Sequence, residues 1–131
     1  MSTNQTLDGT ELVHFLLDRF AAGDVPAVMA KWRDDARWHP VTKTGIDGFD
    51  EPRSRDDYFG EILPAAFSKL SGYTYEVAGV TAFGSLVVAH IRSAWEGNGE
   101  REHGEGLMIF RLADGFVADV YVINAAGAGV F

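Results

Sequence analysis

Few side chains in this sequence could do chemistry near neutral pH, because it holds four histidines and no cysteine. His39 is the strongest candidate, since it follows Trp38 in a short strand-like run. An imidazole titrates near neutral pH and can transfer protons without a metal, so His39 could act as a catalytic base. It could equally be a rim or core histidine bonded to a backbone carbonyl, since intermediate burial is ordinary for this residue type.

Four further polar side chains could contact a substrate. Glu102 is expected to face the interior opposite Trp95, where burial would raise its pKa toward an acid–base role, although the nearby hairpin end also lets it reach water. Ser93 and Asn124 could orient a substrate carbonyl or hydroxyl, or could simply complete hydrogen bonds within strands. Tyr58 begins a predicted helix, where it could contact a ligand or lie at a solvated helix end.

The sequence gives little support for a metal or an organic cofactor, and we expect none. His90 and His103 fall on the same strand face as Glu105, but Arg92 on that face opposes a bound cation. The chain contains no glycine-rich phosphate loop, no dinucleotide-binding fingerprint and no nucleophile elbow.

A hairpin at Asn98-Gly99 is the strongest structural signal in the sequence. Asn-Gly between two alternating runs favours a two-residue turn that fixes the register, which places Arg92 opposite Glu105. A shift by one residue would move every side chain to the other face. The face predicted to line the interior carries Ala89, Ile91, Ser93, Trp95, Glu102, Gly104, Gly106, Met108 and Phe110. Glycine at two of these positions indicates open space in front of the strand.

Helices are expected to precede the strands. Apolar spacing and capping residues predict three helices, over residues 10–22, 24–35 and 54–70. Trp32 falls in the second of them, and Pro64 should kink the third.

Strands are predicted over residues 36–41, 73–83, the two arms of the hairpin between 85 and 112, and 116–124. Residues 42–53 have no periodicity and indicate a loop. Helices followed by an antiparallel meander favour an α+β fold in which the helices cover one face of a curved sheet. We expect a single domain over residues 1–131, with residues 1–9 and 125–131 as tails that could be flexible.

Composition narrows the range of partners. A net charge of −8 without a basic cluster argues against nucleic acid and anionic membrane surfaces. No apolar run is long enough to span a membrane, and the first residues do not resemble a signal peptide, so a soluble, cytoplasmic protein is expected. The remaining partners are a small molecule or a second copy of the chain.

A homodimer is predicted from the strand that carries Leu107 and Ile109. These two residues alternate with equally apolar Met108 and Phe110, so the strand is hydrophobic on both faces. Helices can cover one face only, and a symmetric copy would cover the other.

Four segments resemble the SnoaL-like, ketosteroid-isomerase-like branch of the NTF2-like superfamily: Phe20-Ala-Ala-Gly-Asp24, Trp32-Arg-Asp-Asp-Ala36, Trp38-His39-Pro40 and Phe110-Arg-Leu-Ala-Asp-Gly115. The resemblance extends over residues 11–124 and implies a cone-shaped fold of three N-terminal helices on a curved, mostly antiparallel sheet. This fold hosts isomerases, dehydratases, cyclases and non-catalytic proteins.

The resemblance also implies which catalytic groups are missing. The acid of the isomerase oxyanion hole corresponds to Met108, its tyrosine to Leu16 and the supporting tyrosine to Ile62, so ketosteroid isomerisation is not expected. His39 lies at or beside the position of the general base. The pocket-wall positions correspond to Trp95, Gly106, Val120 and Val122.

Two functions therefore stand as hypotheses. The first is a cofactor-free isomerase, dehydratase or cyclase that acts on an apolar cyclic or polyketide-like substrate. Its base would be His39, in a pocket walled by Trp38, Trp95, Met108, Val120 and Val122. The second is a non-catalytic ligand-binding or dimerisation module. A cavity of a few hundred Å³ that converges on His39 would favour the first, and a filled interior the second.

Overall fold

The computed structural model describes residues 8–41, 52–64, 71–97 and 99–126. The helical elements are α1 (Gly9–Ala21), α2 (Val25–Met29), α3 (Arg55–Asp57) and a π-helical turn (Tyr58–Ile62) that continues α3. The strands are β1 (Trp32–Val41), β2 (Arg53–Ser54), β3 (Ser71–Phe83), β4 (Leu86–Gly97), β5 (Glu100–Ala113) and β6 (Phe116–Ala126). In these described ranges, no helix is long and apolar enough to cross a membrane.

Helix α1 is fixed at both ends by local hydrogen bonds. The Asp8 carboxylate accepts from the Glu11 backbone N–H at 2.8 Å while the Glu11 carboxylate accepts from the Asp8 N–H at 3.0 Å, which forms a capping box. Gly23 follows the helix with φ of 79°, the left-handed conformation that glycine adopts readily. The predicted helix is thus confirmed, with a start at Gly9. Its buried side chains are Leu12, Val13, Leu16 and Leu17.

The second helix is shorter than predicted. Helix α2 ends at Met29, and residues from Trp32 onward belong to β1. The Lys31 carbonyl accepts from the Val117 N–H at 2.8 Å, and Trp32 then pairs with Val117 in parallel register. Local apolar spacing favoured a helix here, but pairing with a distant strand overrides that preference.

The third helix contains a local irregularity. The Ser54 hydroxyl caps it by accepting from the Asp57 N–H at 3.1 Å, as the sequence predicts. After a single turn the helix widens, so that the Leu63 N–H donates to the Tyr58 carbonyl five residues back. The predicted loop of residues 42–53 ends before Arg53, because Arg53 in β2 pairs with Trp38 in β1. The rest of that loop and the predicted end of the helix, residues 42–51 and 65–70, lie outside the described residues.

The six strands form one sheet in the order β2-β1-β6-β5-β4-β3, antiparallel except for the β1–β6 pair. The predicted hairpin register is confirmed, with Arg92 opposite Glu105. Strand β3 begins at Ser71, slightly before its predicted start, and β6 extends through Ala126. The helices pack on one face of the curved sheet, which confirms the predicted α+β fold.

Two ends predicted as tails belong in part to these elements. Gly9 is the first residue of α1, and residues 125–126 are the last of β6. Residues 1–7 and 127–131 lie outside the described part of the chain.

Alternation along the strands separates an inner face, which the helices cover, from an outer face. Inner-face side chains are almost completely buried, as in Val87, Ala89, Ile91, Phe110 and Val120. On the outer face Leu107 remains 37% exposed. The inner face therefore forms the core together with α1 and the π-helical turn.

Candidate functional site

Four aromatic side chains meet on the inner face, and we call them the aromatic cluster: Trp32, Trp38, Tyr58 and Phe59. Strand β1 supplies the two tryptophans and the π-helical turn supplies the other two residues. The Tyr58 ring stacks on Trp32 at 5.3 Å between centroids, with planes 7° apart, and on Trp38 at 5.1 Å and 30°. Phe59 meets Trp32 edge-on at 4.8 Å. Such contacts orient each ring by its quadrupole as well as by its shape.

The cluster contains buried polar atoms. Within the part of the chain that the structure describes, the indole Nε1 atoms of Trp32 and Trp38 have no hydrogen-bond partner, although the two residues are only 4% and 9% exposed. Burial also raises the pKa of the Tyr58 phenol well above its usual range. Tyr58 is therefore neutral at physiological pH, and the cluster presents hydrogen-bond donors in apolar surroundings. Buried polar groups are normally satisfied, so these two indoles require an explanation.

Next to the cluster lies a small apolar cavity of about 20 Å³. A space of this size can hold about one water molecule. It is bounded by Leu16, Leu17, Phe20, Val28, Trp32, Tyr58, Phe59, Met108 and Phe110. Around these residues the interior is filled by side chains, in contrast to the few hundred Å³ that the enzymatic hypothesis requires.

A second inner group lies nearer the β4–β5 turn and comprises Tyr73, Ser93, Trp95, Glu102 and Gly104. Tyr73 and Trp95 stack at 6.4 Å between ring centroids. Burial raises the pKa of Tyr73 to about 12, and the neighbouring Ser93 hydroxyl opposes that shift. The group therefore holds several polar atoms beside a large aromatic surface.

The glycine in this group does not leave open space for a ligand. A β-carbon at Gly104 would lie 3.0 Å from the Trp95 ring and 3.1 Å from the Ser93 hydroxyl, so these side chains already occupy the space. Glu102 lies against Gly97, where a β-carbon would meet the Glu102 Cγ at 2.9 Å. Both glycines thus allow neighbouring side chains to lie across the strand, which is a packing role.

His39 lies on the outer face, and the expectation that it shares a pocket with Trp38 is wrong. Its Nε2 is 2.7 Å from the Asp119 Oδ1, and its ring stacks on Tyr121 at 4.2 Å. Arg111 completes this group, because its Nε donates to the other Asp119 oxygen at 2.7 Å. The physical reason is strand alternation: since Trp38 points inward, the next residue must point outward.

The other predicted site residues fall into three sets. Leu16 and Met108, which the resemblance aligns with a donor and an acid of the isomerase, line the small apolar cavity. Val120 and Val122 are buried on the inner face. Asn124 pairs with Gly106 through the backbone, and its side chain lies outside what the structure describes.

Sequence reasoning missed Trp32 and Phe59 as members of the site. Trp32 was assigned to a helix, because its place in β1 depends on pairing with Val117 before an irregularity between Trp32 and Arg37. Phe59 follows Tyr58 directly, and the π-helical turn brings both rings to the sheet.

A metal site is not apparent on the outer face. His90 contacts Glu105 at 2.5 Å, and Arg92 lies 3.7 Å from the same carboxylate. Among the described residues, no three histidine, aspartate or glutamate side chains are grouped so that they could hold a metal ion.

The described geometry can be compared with known proteins. Residues 13–120 match the model of the SnoaL-like domain family. This chain is a SnoaL-like protein. The match confirms the resemblance to the SnoaL-like branch of the NTF2-like superfamily. Among curated proteins, none matches this SnoaL-like protein in sequence.

Solved structures show the same fold at low sequence identity. IdmH of Streptomyces antibioticus, provisionally assigned as a polyketide cyclase, superposes with a TM-score of 0.75 at 19% identity, over 90% of this chain and 92% of IdmH. TerC, co-crystallised with polyporic acid, superposes with a TM-score of 0.74 at 16% identity, over 88% of this chain and 89% of TerC. A provisionally assigned polyketide cyclase from a Silicibacter species superposes with a TM-score of 0.69 at 18% identity, over 92% of each chain. At these identities the similarity establishes the fold.

Proposed function

We propose that this SnoaL-like protein binds a planar, largely apolar small molecule at the aromatic cluster. The observation that carries the proposal is a pair of buried indole donors that have no partner among the described residues, beside a stacked aromatic surface. Aromatic walls with a few polar groups are typical of small-molecule sites. The similarity in fold to IdmH and to TerC, which was crystallised with polyporic acid, supports the same class of function.

A binding function that needs no proton transfer by His39 agrees with the positions of the polar groups. His39 faces away from the aromatic cluster and is engaged with Asp119. The register places the carboxylates of Glu100 and Glu102 on the inner face, and both lie near the β4–β5 turn rather than in the cluster. The isomerase, dehydratase or cyclase activity considered from the sequence would need another base, so the ligand-binding alternative is the better supported of the two.

The test uses neighbouring residues that face opposite ways. With 1-naphthol as the probe, titration calorimetry should show saturable binding to the wild-type protein. Trp38→Phe keeps a ring but removes one donor, so affinity should fall roughly fivefold, the value of a single hydrogen bond. His39→Ala, one residue away on the outer face, should bind as the wild type does. Absence of saturable binding, or equal loss in both variants, would contradict the proposal.

We also propose that the outer face forms a homodimer. Leu107 is 37% exposed there, and Ile109 and Tyr121 are only partly covered. Two charged groups flank these residues, one formed by His39, Asp119 and Arg111 and the other by His90, Arg92 and Glu105. An apolar centre with a polar rim is the usual anatomy of an interface, and a two-fold axis would pair the patch with itself.

Sedimentation at micromolar concentration tests this association. The wild type should sediment as a dimer, and Leu107→Glu should shift it to a monomer because the charge would be buried in the interface. A monomeric wild type would contradict the dimer. The cytoplasmic location expected from the sequence stays a prediction.

A further inference from the structure

A polar cavity of about 340 Å³ lies where β1, β6 and β5 run side by side, and we call it the arginine cavity. It is lined by Arg33, Asp35, Arg37, Arg111, Ala113, Ala118 and Asp119. The two alanines are small, which leaves room between the longer side chains. Three arginines and two aspartates give the wall an excess of positive charge, although the net charge of the chain is −8.

The two aspartates of this wall are already engaged by two of its arginines. The Asp35 carboxylate accepts from the Arg33 Nε at 2.9 Å and from its Nη2 at 3.4 Å. One Asp119 oxygen accepts from the Arg111 Nε at 2.7 Å, and the other lies 2.7 Å from the His39 Nε2. Each carboxylate oxygen in the wall therefore has a partner.

The hydrogen-bonding groups that remain are donors. Arg37 is exposed and makes no hydrogen bond or ion pair within the described part of the chain, although it pairs through the backbone with Asp119. The Nη1 of Arg111 also has no hydrogen-bond partner among those residues. The Nη1 of Arg33 is 3.7 Å from Asp114, which is 90% exposed, so water screens this contact. Because guanidinium groups only donate, a ligand here must supply acceptors.

We propose that the arginine cavity binds a phosphate group, either as free phosphate or as the monoester of a small polar molecule. A guanidinium group keeps its charge at physiological pH and donates paired N–H groups to phosphate oxygens. A phosphate monoester presents three terminal oxygens, one for each arginine of the wall, whereas a carboxylate presents two. The polar wall fits a hydrophilic ligand.

This site is separate from the aromatic cluster. Arg37 directly precedes Trp38 on β1, and since side chains alternate along a strand, the two residues face opposite sides of the sheet. Arg111 and Asp119 belong to the polar group beside the proposed dimer patch, and the rim of an interface stays accessible to solvent. Phosphate binding therefore depends neither on the ligand proposed for the aromatic cluster nor on its removal.

Arg37 provides the test, because its side chain is exposed and makes no contact that holds the fold in the described residues. Calorimetry at low ionic strength should show saturable binding of inorganic phosphate to the wild type. Arg37→Gln should weaken that binding about tenfold, the value of a hydrogen bond to a charged group. Arg19→Gln changes the net charge equally at an exposed position of α1 and should bind as the wild type does.

Three further ligands identify the chemical class. Glycerol 3-phosphate adds a small polar body to the phosphate, and glycerol alone should not bind. Tighter binding of the ester than of inorganic phosphate would assign the site to phosphorylated small molecules, and the reverse would assign it to free phosphate. Acetate, with two oxygens, should bind more weakly than either.

Four results would overturn the proposal. They are no saturable binding of inorganic phosphate or glycerol 3-phosphate to the wild type, equal affinity in the wild type and Arg37→Gln, an equal loss in Arg37→Gln and Arg19→Gln, and acetate binding as tight as phosphate binding. Binding of 1-naphthol to the same protein samples reports on the aromatic cluster, so failure of this proposal is distinguishable from failure of the proposed function.

Discussion

The inner and outer faces of the sheet are made from alternate residues of the same strands, yet they concentrate different chemistry. The inner face gathers stacked aromatic rings and buried donors, whereas the outer face gathers ion pairs around an exposed apolar patch. Trp38 and His39 show the contrast most directly, since adjacent residues of β1 belong one to each face. The stacked aromatic rings and the ion pairs are thus separated by the thickness of the sheet.

The separation leaves aromatic stacking on the inner face and places His39 on the outer face. The resemblance aligns Leu16 and Met108 with a tyrosine and an acid of the ketosteroid isomerase, and both residues line the small cavity. His39, which the resemblance places at or beside the general base of the isomerase, points to the outer face because side chains alternate along β1. Stacking and donation of neutral hydrogen bonds are available on the inner face, and they are the basis of the proposed ligand binding.

The largest expected effect is the response of the inner face to alkaline pH. Burial raises the pKa of Tyr58, Tyr73 and Tyr75 above the ordinary value of 10.0. The unfolded chain releases these protons first, so the stability that these tyrosines contribute is constant below pH 10 and falls as pH rises above it. Tyr58 alone should contribute a loss of about 1.4 kcal/mol per pH unit between its unfolded and its folded pKa.

Denaturant unfolding at several pH values measures that loss, and tyrosinate absorbance measures the titration in the folded state. Tyr73 should titrate near pH 12, and Tyr58 should stay protonated at that pH. Titration of all the tyrosines near pH 10 in the folded protein would show that the inner face is solvated. That result would contradict the contrast drawn between the inner and outer faces.

A matched pair of substitutions on β4 should give the next largest effect. Val87 is fully buried on the inner face, and its methyl would lie 2.9 Å from a β-carbon at Gly9. Val88 is only partly buried on the outer face. Val87→Ala should lower the free energy of unfolding by about 2 kcal/mol, from lost burial and a residual cavity, and Val88→Ala by under about 1 kcal/mol. Equal losses would mean that the two faces are equally well packed.

Most of the fold could be predicted from the sequence because local chemistry determines it. Asn98-Gly99 fixed the register of β4 and β5, and Gly23 marked the end of α1. Trp32 was misassigned because its environment depends on pairing with Val117, far along the chain. No local pattern reports such a contact.

The site was only partly predictable for a related reason. The register of the hairpin correctly placed Trp95 and Met108 on the inner face. The orientation of His39 depended on the exact limits of β1, and a one-residue uncertainty there exchanges inward and outward positions. The stacking of Tyr58 on two indoles depended on a π-helical turn, which the spacing of apolar residues did not indicate.

The smallest of the three effects concerns the outer face. Asp119 is 13% exposed and accepts hydrogen bonds from both His39 and Arg111, so Asp119→Asn should lower the free energy of unfolding by about 1–2 kcal/mol. Asp114→Asn is the matched control, because Asp114 is 90% exposed and asparagine tolerates its positive φ. That variant should change the stability by less than about 0.5 kcal/mol.

Ligand affinity distinguishes a structural role of this group from a functional one. Asp119 does not line the inner cavity, so Asp119→Asn should bind 1-naphthol as tightly as the wild type despite its lower stability. His39→Ala should behave in the same way, because it removes the same contact from the other side. If either variant lost affinity while remaining folded and dimeric, the outer histidine would be coupled to the inner pocket, and the separation of the two faces would no longer describe how this protein works.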